Sequence, residues 1–341
     1  MQLILLTLIF YLIACFDSRK LTTEENEKRL EHCGITVKPK VFRGKSVKKN
    51  EAPWAVMVHT LKSDGSAHCS GTVISPRHIL TATHCSANGN KKEWIETDVN
   101  FPVKKEECSN GEHLTVTEVT ASKVTVLSRN ETTIGRAKFL YMLQFCRKIL
   151  DDPYIYQTPD DFMIVELAED LEYTSEIQPA CFARDINDNA LGTDFDFFGY
   201  GDNPPAHLPQ TPASLAKHRL LYHKAKVAEY TSNGAVLRME SRLFTAKSLN
   251  YKTTICSGDS GGGAITKIDG RNTVVGVAMS GSCVKMVRGK DALEIFASAG
   301  FYADEVCELT GICTPPRGSA EKESHIEIVM VLIFLYIVYI E

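Results

Sequence analysis

The stretch "TTICSGDSGGGA", Thr253 to Ala264, constrains this chain more than any other. It is a small-residue loop wrapped around one serine, Ser260, with an acid, Asp259, beside it and a cysteine, Cys256, four positions upstream. A serine hydroxyl is a poor nucleophile at neutral pH unless a base takes its proton and hydrogen-bond donors wait for the oxyanion that forms. Such a loop needs partners elsewhere in the chain.

Two stretches offer them. In "HCSGTVISPRHILTATHC", His68 to Cys85, the residues Val73, Ile74, Ile79 and Leu80 read as strand, and Ser75, Pro76 and Arg77 as the turn between two strands. His84 falls just past the second strand, next to Cys85, which can bridge back to Cys69 and clamp the loop that carries the imidazole. A general base needs that fixing more than a structural histidine does. His78, on the turn, reads as a solvated surface residue. In "DDFMIVEL", Asp160 to Leu167, the apolar run Phe162 to Val165 reads as a buried strand with Asp161 at its entrance, where a carboxylate is costly unless paired.

Taken together, "TATHC", "DFMIVEL" and "CSGDSGGG" carry His84, Asp161 and Ser260 in an order that resembles the chymotrypsin/trypsin family of serine proteases. "VFRG", Val41 to Gly44, is similar to the family's mature N-terminus; "APWAVMV", Ala52 to Val58, to the strand after it; and "FGYG", Phe198 to Gly201, to a turn in the second barrel. The resemblance covers about Cys33 to Asp304 and implies an all-β fold: two packed antiparallel six-stranded β-barrels (chymotrypsin-like) with a short C-terminal helix, the cleft lying between the barrels.

It also implies roles. Ser260 attacks the carbonyl, His84 takes and returns its proton, and Asp161 holds the imidazole in the right tautomer. The N–H groups of Gly258 and Ser260 converge on the oxyanion, which a side chain at 258 would crowd. Cleavage after Lys40, by an activator that cuts after basic residues, frees the Val41 ammonium to pair with the Asp259 carboxylate. Cys33–Cys181 keeps the propeptide tethered, and Cys256–Cys283 closes a specificity pocket with Thr254 as its floor and Gly281 on its wall. If "LEIFAS", Leu293 to Ser298, is the back strand of that pocket, Glu294 points inward to receive a basic side chain; the competing reading is a solvated Glu294.

Two departures stand out. Thr254 is neutral where trypsin-like members carry aspartate, so a simple preference for Lys or Arg is not supported. Met279 stands where most relatives present a serine that hydrogen-bonds the catalytic aspartate. One lost bond to a buried charge costs about 1 to 3 kcal/mol, a rate loss of roughly fivefold to a few hundredfold. A loss of that size allows impairment and does not imply abolition.

Between His84 and Asp161 lie 77 positions, longer than in compact relatives. Within 86–160 the alternating "HLTVTEV" and "KVTVLS" and the helix-like "RAKFLYMLQFCRKIL" read as an elaborated loop region of the first barrel, with Cys108–Cys146 bridged and Asn130 heading an N-x-T glycosylation acceptor. Cys307–Cys313 is the remaining pair.

The ends carry membrane signals. Leu3 to Ile13 is an apolar run of secretory-signal length before Ala14 and Cys15, too short for a spanning helix of about 20 apolar residues. Of the 11 cysteines, removal of Cys15 with the signal leaves an even set suited to an oxidising compartment. Residues 328–340, "IVMVLIFLYIVYI", reach about 20 Å as a helix, short of a hydrocarbon core of about 30 Å. Small residues at 318–320 and a polar spacer precede them, the layout of a lipid-anchor signal; a short transmembrane anchor and a non-anchoring tail stay open.

The expected organisation is a signal at 1–15, a propeptide at 16–40, a protease domain at 41–305, an extension at 306–327 and the hydrophobic tail at 328–340. A net charge of -4, without basic blocks, gives no reason to expect a nucleic-acid partner. The absence of CxxC and HExxH patterns leaves no expected metal or other cofactor. The expected function is a secreted or membrane-anchored serine endopeptidase acting on protein or peptide substrates through an acyl-enzyme, made as a zymogen. The rival is a weak or inactive homologue acting as an extracellular binding or regulatory protein.

Overall fold

The computed structural model describes residues 19–35, 51–62, 65–89, 94–95, 112–147, 149, 155–201, 219–232, 235–236, 238–249, 253–281 and 293–315. Lys40, Val41, Cys108, Cys283, the signal and the hydrophobic tail lie outside these residues.

The first half of the chain contributes β1 (Ala55–Lys62), β2 (Gly65–Val73), β3 (His78–Thr81), β4 (Leu114–Val116), β5 (Val124–Leu127), β6 (Thr133–Met142) and β7 (Met163–Leu167). They pair in the order β7-β3-β2-β1-β5-β6, and β6 pairs back to β7, which closes six strands into a barrel with β4 added alongside β6. Closure removes the sheet edges and leaves one enclosed core, where Met57, Val58, Ile79, Leu80, Leu140 and Ile164 are fully buried.

The second half repeats the plan with β8 (Cys181–Phe182), β9 (Asp194–Gly199), β10 (Leu221–Val227), β11 (Leu243–Ser248), β12 (Gly263–Ile268), β13 (Arg271–Gly281) and β14 (Glu294–Ser298). The order β13-β12-β9-β10-β11-β14 closes through β13 pairing with β14, and β8 lies parallel outside β13. The aromatic rings of Phe195, Phe197, Phe244 and Phe296 fill this core edge-to-face and stacked, with centroids 5.2–6.2 Å apart. The fold is the all-β double barrel that the resemblance implied.

Two helices belong to the described residues at either end. α1 (Thr23–His32) opens with a capping box, in which Thr22 Oγ1 accepts from Glu25 N and Glu25 Oε2 accepts from Thr22 N. It docks by polar groups rather than an apolar face. Arg29 is 1% exposed, Asn26 donates to the Cys313 carbonyl at 2.8 Å, and Arg271 Nη1 donates to the Leu30, Glu31 and Cys33 carbonyls at 2.9–3.0 Å. A cation on the last carbonyls of a helix complements both their unpaired acceptors and the macrodipole. The Cys33–Cys181 bridge secures this segment to the second barrel. At the other end α2 (Ala303–Thr310) crosses position 305; Val306 and Ile312 are buried in the core, the Leu21 N–H bonds to the Thr310 carbonyl, and Cys307–Cys313 closes the segment on itself. The expected boundary at 305 therefore falls inside a packed helix.

Three further expectations are corrected. The helix-like stretch starting at Arg136 is strand through Met142, where β6 runs between β5 and β7. A strand buried on both faces has no alternation, and its apolar run cannot be told from a buried helix by periodicity. The stretch is thus not only loop elaboration, because β5 and β6 are two of the six barrel strands. His78 is completely buried in β3, its Nδ1 bonded to Ser75 Oγ at 2.8 Å and its Nε2 lying 3.8 Å from Glu166. Burial lowers its pKa against the opposing pull of Glu166.

Candidate active site

β3 and β7 are neighbours, with Thr81 opposite Met163, so the residues just beyond their ends meet although they are 77 positions apart in sequence. His84 sits on a single 3₁₀ turn, Thr83–Cys85, directly after β3. The Cys69–Cys85 bridge clamps that turn to β2 as expected. Asp161 lies two residues before β7 and is 5% exposed. One of its oxygens accepts the His84 backbone N–H at 2.8 Å, and the other faces His84 Nδ1 at 2.6 Å. Because a carboxylate accepts, Nδ1 carries the proton and Nε2 is left as the base. The imidazole keeps 34% of its side-chain surface exposed, enough to be reached from the cleft. Burial opposes its protonation, but the Asp161 charge and hydrogen bond outweigh burial, and the pKa is raised.

Ser260 comes from the other barrel, on the loop before β12. Its carbonyl accepts from the Ser70 N–H of β2 at 2.8 Å and lies 3.9 Å from Cys85 Sγ, which places the serine beside the clamped turn. Gly261 makes that approach feasible. Its φ is +83°, and a Cβ there would fall 2.1 Å from Thr81 Oγ1 and 2.4 Å from the Ser70 carbonyl. Gly258 has φ +89°, and Ser70 Oγ holds its carbonyl at 2.9 Å. Among the described residues no acceptor takes the N–H of Gly258 or Ser260, so both remain available to an oxyanion.

The Asp259 carboxylate is buried and accepts from the N–H groups of Gly201 at 2.8 Å and Cys256 at 2.9 Å. Burial dominates over these bonds and pushes its pKa up to about 6. Gly201 has no room for a side chain, since a Cβ would sit 2.3 Å from Asp259 Cγ. "FGYG" is thus the wall of the Asp259 site as well as a turn.

The expected specificity pocket is altered. Gly281 lies against the Ile255 backbone, where a Cβ would meet the carbonyl oxygen at 2.4 Å. The Thr254 hydroxyl is buried and has no hydrogen-bond partner among the described residues. Glu294 is not solvated: it is 0% exposed and pairs with His223 Nε2 of β10, 3.2 Å from Oε2, while Oε1 has no hydrogen-bond partner among the described residues. Met279 is partly buried against the core and can donate nothing to Asp161, whose hydrogen bonds among the described residues both come from His84. Cys146 and Cys256 are each disulfide-bonded, and their expected partners, Cys108 and Cys283, are outside the described residues. Asn130 is exposed on the turn before β6. Ligand atoms of Cys69, His84 and Cys85 lie within 4.8 Å of one another, but the two sulfurs are bonded to each other, so they offer no thiolate to a metal.

With this geometry in view, the comparison with known proteins is decisive at the family level: residues 2–313 match the profile described as the nematode trypsin-6-like family. The chain belongs to the nematode trypsin-6-like family. It is 26% identical over 255 residues to the trypsin-like protease try-5 of Caenorhabditis elegans, covering 70% of this chain and 77% of that protein. It is 25% identical to serine protease ea of Drosophila melanogaster, over 67% of this chain and 56% of the relative. For the CLIP domain-containing serine protease B9 of Anopheles gambiae the identity is also 25%, over 70% and 55%. The chain spans just over half the length of the two insect relatives. Among solved structures, that of the scabies mite inactivated protease paralogue S-I1 superposes with a TM-score of 0.52 at 19% identity, covering 78% of this chain and 98% of the other. That likeness concerns the fold. This member of the nematode trypsin-6-like family is a serine-protease-like protein built on a divergent trypsin-like scaffold.

Sequence reasoning paired His84 with Asp161 but missed the buried partners nearby: His223 for Glu294, Gly201 for Asp259, and Tyr302 and Arg242 for Asp160. Three adjacent signals were available, namely a histidine on the inward face of an alternating strand, a Gly-x-Gly ending another, and the doubled acid in "DDF".

Proposed function

We propose that this chain is a serine endopeptidase, made as a zymogen and exported, that hydrolyses peptide bonds through an acyl-enzyme. The observation that carries this is the His84–Asp161 pair, in which one carboxylate oxygen faces the imidazole Nδ1 at 2.6 Å and the other accepts the backbone N–H of the same residue at 2.8 Å, beside the Ser260 loop. Nε2 of His84 takes the Ser260 proton and returns it to the leaving amine, while Asp161 stabilises the imidazolium. The free N–H groups of Gly258 and Ser260 receive the tetrahedral oxyanion.

Activation follows cutting after Lys40 by a protease that recognises a basic residue, when the Val41 ammonium enters and pairs with the buried Asp259 carboxylate. Among the described residues that carboxylate is held by two backbone N–H groups and no cation, and an unpaired buried charge is costly. A pocket floored by Thr254, with Glu294 occupied by His223, suits a neutral rather than a basic substrate side chain. Three described disulfides fit maturation in an oxidising compartment. No helix among the described residues is long and apolar enough to cross a membrane; attachment through 328–340, by lipid or by a short span, and glycosylation at Asn130 belong to the same reading.

A second reading, a weakly active or inactive homologue that binds or regulates, draws on Met279, which cannot donate to Asp161, so that among the described residues His84 is its one donor. Cleaving the purified chain at Lys40 and assaying a peptide library separates the two. Turnover that is lost in Ser260→Ala supports the endopeptidase; absence of turnover in verified, correctly cut protein supports the regulator.

A further inference from the structure

Both sequence neighbours of Asp161 are held by a single side chain. Tyr302, which follows β14 and caps α2, is fully buried. Its ring stacks on Phe162 with centroids 4.4 Å apart, and its hydroxyl donates to Asp160 Oδ1 at 2.5 Å. Asp160 is 1% exposed, accepts from Arg147 Nε at 2.9 Å and lies 3.5 Å from Arg242 Nη1. Arg242, also 1% exposed, donates from Nη2 to the Thr158 carbonyl at 2.7 Å, while its own carbonyl accepts the Ser298 N–H of β14 at 2.8 Å. Glu240 accepts from both Arg147 and Arg242.

Two carboxylates and two guanidinium groups sum to zero, so Asp160 and Arg242 can be buried together with Arg147 and Glu240 partly exposed beside them, whereas removal of one buried member leaves a charge in a low dielectric. Its cost needs a return. The seam it crosses is the one the triad crosses, because Asp161 and His84 belong to the first barrel and Ser260 to the second. A displacement of about 1 Å between reacting groups costs roughly a hundredfold in rate. Met279 gives Asp161 no bond from the second barrel, so the register must come from the flanks.

We propose that Tyr302, through Asp160 and Phe162, is a positioning residue that sets Asp161, and with it the His84 imidazole, in register with the barrel carrying Ser260. This rests on the endopeptidase reading above.

The test uses full-length protein cut at Lys40. Tyr302→Phe keeps the stack on Phe162 and removes the bond to Asp160. The expected result is about a tenfold fall in kcat with KM unchanged, and a shifted or broadened resonance of the proton between His84 Nδ1 and Asp161, recorded in a Ser260→Ala background. Adding Asp160→Asn to Tyr302→Phe costs no more than the worse single change, because the two act through one contact. Unchanged kcat and an unmoved resonance, with only a lower melting temperature, would overturn the proposal and leave the cluster a staple between barrels. Phe162→Leu gives the same reading from the stacked side if Tyr302→Phe fails to fold. If the wild-type cut protein shows no turnover, the endopeptidase reading fails, and the resonance still decides the positioning role.

Discussion

The buried Asp259 carboxylate makes the uncut protein sensitive to pH in a calculable way. In the folded chain its pKa is pushed up to about 6, while an unfolded aspartate titrates near 3.9. Between these values the folded state binds more protons than the unfolded one, so stability falls as pH rises through about 6 and is recovered as pH falls. The full contribution is about 3 kcal/mol, and about 1.4 kcal/mol of it is regained on going from pH 8 to pH 5. Asp259→Asn cannot titrate and should lose that gain. The assay is urea unfolding of uncut wild-type and Asp259→Asn protein at both pH values, so that every other titrating group cancels in the comparison. Cutting at Lys40 should also flatten the slope of the wild type, since an incoming Val41 ammonium holds the carboxylate ionised. Equal slopes in uncut wild type and Asp259→Asn would refute the reasoning.

Other consequences follow from the same structure. Because the His84 base must be unprotonated and its pKa is raised, the acid limb of kcat/KM should have its midpoint above the ordinary histidine value of about 6.5 and move down in Asp161→Asn, as read from a pH–rate profile. Glu294→Leu removes the acceptor of buried His223 and should cost about 1 to 3 kcal/mol in chemical denaturation, with no loss of any preference for basic substrate residues in a peptide library; a lost preference would return Glu294 to the pocket. Replacing Cys69 and Cys85 together with alanine opens a short loop and should cost about 3 kcal/mol of stability. Activity measured well below the lowered melting temperature should fall as well, because the clamp also fixes the His84 turn.

The double barrel was legible because the motifs carrying His84, Asp161 and Ser260 resemble, in their order, those of a family with that fold. The Cys69–Cys85 bridge was legible because both cysteines flank one hairpin. What escaped was set by long-range packing. Buried on both faces from Phe139 to Met142, β6 ends in an apolar run that hides its period. His78 looked like a turn residue, yet Ser75 and Glu166 draw it inside. Glu294 could be placed on the back strand of the pocket, but the side its carboxylate faces depends on His223, 71 residues away. Tyr302 and Arg242 carry no motif at all. Their meaning arises only when β14 and the strand-entry residues 158–162 are brought together across the seam.

The central claim is that Ser260 is an activated nucleophile. After verified cleavage at Lys40, the intact protein should react with a fluorophosphonate at Ser260 in a ratio approaching one label per molecule by mass spectrometry, while the uncut chain and Ser260→Ala stay unlabelled. Cut, folded protein that takes up no label at Ser260 would contradict the account.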